Sequence, residues 1–174
     1  DRTFNVTVDQ NVAQLDPTGA LPIIFDVVFS EAINPTSFDA TDITQNGTAT
    51  GITWSIIDSG DQTSFSLQAM AITVAGTVQP SIAALAVQTI NLKNNKLSTS
   101  IDNLVIYDNS FTVTIEQTVA QLDPANVVPV EFDVVFEEAI DPLTFDATDI
   151  TQNGTALGIT WNIIDSGDQI NFTL

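Results

Sequence analysis

Residues 22–31 read PIIFDVVFSE and residues 129–138 read PVEFDVVFEE. In the first stretch Ile23, Phe25, Val27 and Phe29 fall on one side of an extended chain, and Ile24, Asp26, Val28 and Ser30 on the other. The second stretch keeps the three aromatic and β-branched positions as Phe132, Val134 and Phe136 but puts Glu131 where Ile24 stands and Glu137 where Ser30 stands. A site that takes either Ile or Glu faces solvent. The period of two therefore describes an antiparallel strand buried on one face, not a helix.

The two stretches belong to a longer repeat. Residues 4–67 return as 111–174 without a gap at a spacing of 107, and 45 of 64 positions are identical. AQLDP, FDATDITQNGTA and IIDSGDQ each occur twice. The chain thus divides into a complete unit, 1–109, and a second unit, 110–174, in which residues 68–107 have no counterpart. Units of this length lie within the usual domain range. The chain reads as a piece of a longer tandem array. The other possibility is a half-domain completed by strands of a second chain.

Strands are expected near 3–10, 22–31, 38–48, 51–58, 63–70, 75–84 and 101–108, with Phe4, Val6 and Val8 inward. They are separated by turn residues at Asp16-Pro17, Asn34-Pro35, Asn46-Gly47, Ser59-Gly60 and Asn94-Asn95. Only 80–92 has helical flavour. The expected core holds Phe25, Val27, Phe29, Trp54, Phe65 and Leu67, repeated as Phe132, Val134, Phe136, Trp161, Phe172 and Leu174. About seven short strands with frequent turns predict an all-β chain of tandem immunoglobulin-like antiparallel sandwiches.

The residues that carry this pattern resemble a known family. FDVVFSEAI followed by FDATDIT is similar to the FSEPV…GFDxxDV pattern of bacterial Ig-like repeats, LSTSIDNLVIYD at 97–108 resembles their last strand, and QLDP at 14–17 and 121–124 their first turn. NLKNN at 91–95 departs from the acidic DAAGN that such repeats often carry there. The resemblance implies a non-catalytic repeat of a long bacterial cell-surface or extracellular protein, a stalk or fibre segment in adhesion. Its partners would be neighbouring repeats of the same chain. The alternatives are a ligand-binding adhesin module for a glycan or host surface, and a spacer beside a secreted enzyme domain.

Composition narrows the chemistry. Acids outnumber bases 22 to 3, the bases being Arg2, Lys93 and Lys96, and the formal net charge is −19. That balance argues against nucleic acid and anionic membrane surfaces, both of which require Lys and Arg. With no His and no Cys, disulfides, thiol chemistry, Ser-His pairs and common zinc sites are excluded. No apolar run reaches membrane-spanning length. Carboxylate pairs at Asp39/Asp42 and Asp58/Asp61 are the obvious candidates for a hydrolytic pair, but a small sandwich with short loops offers little cleft for one, and Asp58-Ser59-Gly60-Asp61 reads as a hairpin turn. Asn5, Asn46, Asn153 and Asn171 begin glycosylation sequons, incidental in a bacterial protein. Calcium suits the remaining acids, because it takes six to eight oxygens and needs no His or Cys. Strand direction predicts end-to-end units whose facing loops bring Asp16 and Asp108 to Glu138 and Asp141, with calcium stiffening the joint.

The second copy supplies a substitution to test the outward face. Ile24→Glu should change unfolding free energy by no more than about 0.5 kcal/mol in a urea titration, the range of ordinary surface substitutions.

Overall fold

The FDVVF strand lies inside a sheet in both copies, and everything else is arranged about it. The computed structural model describes residues 2–174. It separates into two units, the first ending at Asn109 and the second running Ser110–Leu174. In the first unit, β1 (Thr3–Phe4), β2 (Val6–Gln10), β3 (Ile23–Phe29), β4 (Ile43–Gln45), β5 (Thr53–Asp58) and β6 (Ser64–Ala71) are followed by β7 (Gly76–Val78), β8 (Pro80–Ile82), β9 (Asn94–Asn95) and β10 (Val105–Tyr107). The second unit holds β11 (Val113–Gln117), β12 (Phe132–Phe136), β13 (Ile164–Asp165) and β14 (Asn171–Thr173). Among the described residues there is no α-helix, only short 3-10 turns, so the chain is all-β with several antiparallel sheets.

Unit 1 is built on a four-stranded antiparallel sheet of order β2-β3-β6-β5. Its inner face carries Val6, Val8, Ile23, Phe25, Val27, Phe65 and Leu67, all buried. Three short pairs complete the core: β4 with β8, β7 with β10, and β1 with β9, the last parallel. Val78, Ile82, Val87, Val105 and Tyr107 from these later segments share one hydrophobic cluster with the sheet. At its centre Phe29 meets Phe4, Phe38 and Phe65 edge to face, with centroids 6.0, 5.3 and 5.6 Å away. That geometry suits ring quadrupoles better than a face-to-face stack.

Unit 2 repeats the sheet in register, with order β11-β12-β14-β13. Val113 pairs with Phe136 as Val6 pairs with Phe29, and Asp133 with Thr173 as Asp26 with Ser66. The Phe136 cluster is copied too, with Phe111, Phe145 and Phe172 at 6.0, 5.2 and 5.6 Å.

Several expectations change. The strand foreseen at 38–48 survives only as β4, because Asp39-Ala40-Thr41-Asp42 closes a 3-10 turn with a capping box instead. The Asp39 carboxylate accepts from Thr41, and the Asp42 carboxylate accepts from the Asp39 N–H. The strand foreseen at 75–84 is two short strands, and that at 101–108 narrows to β10. The helical flavour of 80–92 yields no helix. After β8 the chain bends, with Leu85 and Leu92 at φ 69° and 58°. Asn94-Asn95, read as a turn, is strand β9, and Asn95 is fully buried. Trp54 and Trp161 are half-buried at the rim of the core, each edge-on to a phenylalanine, Phe25 and Phe132.

One absence in unit 2 is informative. Residues 150–152 have the sequence of β4, ITQ, yet form no strand, because no counterpart of β8 lies beside them. Gly47 shows the same contrast. A Cβ there would stand 2.0 Å from the Thr77 carbonyl oxygen, whereas at Gly154 the nearest atom is the Gln152 side chain at 3.3 Å.

Two measurements follow. Replacing Phe29 with Ala should cost about 3–5 kcal/mol of unfolding free energy for unit 1, as for other buried aromatic deletions. Amide exchange followed by NMR should find residues 43–45 protected and 150–152 exchanging at close to coil rates, although the two sequences are identical.

Candidate functional site

The acidic turns and the surface grooves are the places to look for a functional site. The turns are built locally. In Asp58-Ser59-Gly60-Asp61, Gly60 supplies φ +94° and its N–H donates to the Asp58 carboxylate. Asp61 Oδ1 accepts from the N–H groups of Thr63 and Ser64 and from Ser59 Oγ. The Thr63 and Ser64 backbone bonds hold the Asp61 carboxyl well below the usual carboxylate range. Asp168 repeats the arrangement, held low first by the Asn171 N–H and then by its side-chain amide and the Ile170 N–H. Asp39 and Asp146 are lowered by the hydroxyls of Thr41 and Thr148, together with those residues' N–H groups. Glu137 is lowered by the N–H and hydroxyl of Thr112. Asp42 moves the other way, because burial disfavours its charge.

Asp9 has a longer reach. Partial burial favours its neutral form, but the Ile101 N–H, the Ser100 hydroxyl and the Asp102 N–H outweigh that and lower its pKa. It thereby clamps the 100–102 turn onto β2. Asn95 is the second such device. Its Oδ1 accepts from the Val87 N–H and its Nδ2 donates to the carbonyls of Ala83 and Lys96. Neither residue stands out in the sequence: Asp9 is one acid among 22, and Asn95 sits in a polar stretch.

The four acids considered for calcium are divided between the units. In unit 1, Asp16 Oδ1 accepts from the Ile106 N–H, and the Asp108 N–H donates to the Thr18 carbonyl, so the loop after β2 lies against β10. In unit 2, Asp141 caps the 3-10 turn Pro142–Thr144 by accepting from the Leu143 N–H, and Glu138 is exposed. Neither unit by itself holds more than two of these residues, and among the described residues no three acids gather at metal-binding spacing.

The grooves are open and shallow. One of about 240 Å³ runs between Asn11, Leu15, Thr18 and Ile24, and another of about 300 Å³ along Asp26, Val28 and Ser64. Asp26 is the one titratable residue lining either, so neither brings together an acid–base pair.

The apolar surface of unit 2 is larger in consequence. Phe111, Val113, Ile115 and Val130 are 43%, 48%, 49% and 38% exposed, where Phe4, Val6, Val8 and Ile23 are 2%, 1%, 0% and 0%. On the opposite face Val28 and Val135 differ little, at 46% and 40%. The change is confined to the side that residues 76–107 cover in unit 1. Comparison with protein-family models, with curated proteins and with solved structures finds no match.

Acid unfolding tests the turn network. For a carboxyl whose folded pKa lies below its unfolded value near 3.9, the stabilisation is complete above that value and is lost as pH falls through the folded pKa. Asp61→Ala should therefore lower stability at pH 7 and leave it nearly unchanged at the acid limit. Melting temperatures measured across the acid range should show a shallower loss than in the parent chain.

Proposed function

We propose that this chain is a non-catalytic structural repeat, a stalk or fibre segment of a long extracellular or cell-surface protein of the bacterial Ig-like kind. The observation that carries the proposal is the duplication itself. Two units share their sheet order, strand register, aromatic cluster and turn caps. Added copies of one domain give length or number, which a structural protein uses and a catalyst seldom needs. Further support comes from the acids, whose carboxylates cap turns in both copies at Asp39, Asp61, Asp146 and Asp168. Among the described residues no helix is long and apolar enough to cross a membrane.

A module that grips glycan would present exposed aromatic rings. Among the described residues only Phe111 is prominent in that way, and its counterpart Phe4 is buried. The stalk and the binding module are therefore separable by one experiment. Titrated onto immobilised glycans and matrix proteins, the chain should show no saturable binding up to about 100 µM, weaker than ordinary specific recognition. Antibodies against it should label intact cells of the source organism without permeabilisation. Saturable glycan binding abolished by a single loop substitution would replace the stalk with the adhesin module.

A further inference from the structure

We propose that Asn46 is a site of spontaneous covalent modification in unit 1: it loses its side-chain nitrogen by closing a succinimide with Gly47, and the isoaspartate formed on hydrolysis unfastens residues 46–49 from residues 77–81. Asparagine is a chemically labile residue. A following glycine favours the reaction most, because no Cβ shields the attacking backbone nitrogen. Of the asparagines in the chain only Asn46 and Asn153 precede glycine. At Asn46 the packing demands both residues. A Cβ at position 47 would stand 2.0 Å from the Thr77 carbonyl oxygen and 2.6 Å from its carbon, so glycine alone fits. The Asn46 N–H donates to the Gln79 carbonyl at 2.9 Å, and its Nδ2 donates to Ser81 Oγ at 2.8 Å and to the Gln79 carbonyl at 3.4 Å. Asn46 is exposed directly after β4, and among the described residues the Gly47 N–H has no acceptor, so its nitrogen is not held away from the side chain.

The chemistry needs only water. The Gly47 nitrogen attacks Cγ of Asn46 and gives up its proton to solvent; the Cγ–Nδ2 bond breaks, and Nδ2 takes up a proton and leaves as ammonia. Water then opens the cyclic imide at either carbonyl, giving aspartate or isoaspartate, with nothing oxidised or reduced. In isoaspartate the main chain runs through Cβ and Cγ, so an extra methylene enters the backbone between residues 46 and 47. The contact has no slack for it. On the Gly47 side, Thr48 and Thr77 each donate a backbone N–H to the other's hydroxyl at 2.9 Å, and the Ala49 N–H donates to the Thr77 carbonyl at 2.9 Å. On the Asn46 side, Gln45 pairs with Pro80, its Oε1 accepts from the Gln79 N–H, and its Nε2 bridges to the carbonyls of Ala49 and Thr77. A longer backbone cannot keep both sets in register. The new carboxylate also replaces a donor with an acceptor opposite the Gln79 carbonyl, and two acceptors cannot satisfy each other. Ala49 and Val78, both buried at this contact, lose their seating when it opens.

The test uses the intact chain carrying Asn153→Gln, which removes the other Asn-Gly pair. It is kept warm at mildly alkaline pH, with circular dichroism confirming that it stays folded, beside a synthetic peptide of residues 43–52 as the unstructured reference. Digestion with an acid-active protease and fragmentation mass spectrometry then read position 46. Expected is a mass gain of O for NH at Asn46, with isoaspartate among the products. Adding Asn46→Gln should abolish the gain, because the longer side chain closes the corresponding ring far more slowly. The isoaspartate species, separated by ion exchange on its extra negative charge, should melt at a lower temperature. Its amide exchange at Ala49 and Gln79 should be faster by about tenfold or more, as for a locally opened segment. No mass gain at Asn46 after the peptide has converted fully would overturn the proposal. So would an isoaspartate species whose Ala49 and Gln79 amides are as protected as in the unmodified chain.

Discussion

An antiparallel sheet with one apolar face must have that face covered, and in this protein the cover is a separate stretch of sequence from the sheet. The four-stranded sheet is built from β2, β3, β5 and β6, which end at Ala71, and the segment 76–107 largely supplies what lies over it. The two copies show how much depends on the second part. Phe4, Val6, Val8 and Ile23 go from buried to about half exposed at Phe111, Val113, Ile115 and Val130. At roughly 1.5–3 kcal/mol for burying one such side chain, half-exposing four of them forfeits roughly 3–6 kcal/mol. A small domain is stable by only about 5–15 kcal/mol in total. The cover is therefore the difference between a comfortable fold and a marginal one.

Structure that is local survives without the cover, and structure that is not local does not. The capping box at Asp39–Asp42 returns unchanged at Asp146–Asp149, and the Asp61 turn returns at Asp168. Each is closed within a few residues. The β12 pairings with β11 and β14 also return, because both partners lie within the repeated stretch. What disappears is β4, whose partner β8 lies outside that stretch, and the first part of β5, whose partners at 68–71 lie outside it too. Identical ITQ sequences are thus strand in one place and irregular in the other, since an isolated strand has no backbone partner to satisfy it.

The same division explains what could be read beforehand. The alternation in PIIFDVVFSE was legible, because Phe25, Val27 and Phe29 mark the buried side and the Glu131 replacement marks the outer one. The DSGD turn was legible for its chemistry. The turn at 39–42 was misread as strand: Phe38, Ala40 and the following Ile43 mimic a half-apolar strand, while the Asp-x-x-Asp spacing that signals a capping box passed unused. Asn94-Asn95 resembled a turn by composition. Its strand pairing with β1 and the burial of Asn95 depend on three hydrogen bonds to Ala83, Val87 and Lys96, and no periodicity records them. Trp54 was expected deep inside and sits at the rim beside Phe25, because β5 is the outer strand of its sheet. Of the acids, only Asp58 and Asp61 of the DSGD turn and their repeats were foreseen in their role. Asp9 was not, since its partners at 100–102 are distant in sequence.

High identity between neighbouring units raises a question of choice during folding. The faces that 4–67 and 111–174 would offer to a segment such as 76–107 are almost the same, with only small differences such as Val8 against Ile115 and Asp9 against Glu116. Side-chain complementarity alone separates the two targets weakly. Connectivity separates them strongly: β6 runs through Leu67 into the covering segment without a break, so unit 1 receives it as an intramolecular partner. Short flexible tethers give effective concentrations in the millimolar range, far above that of any free donor. Between near-identical repeats, pairing is thus decided by which face the segment is tethered to, and the sequence of the face can stay almost constant from copy to copy.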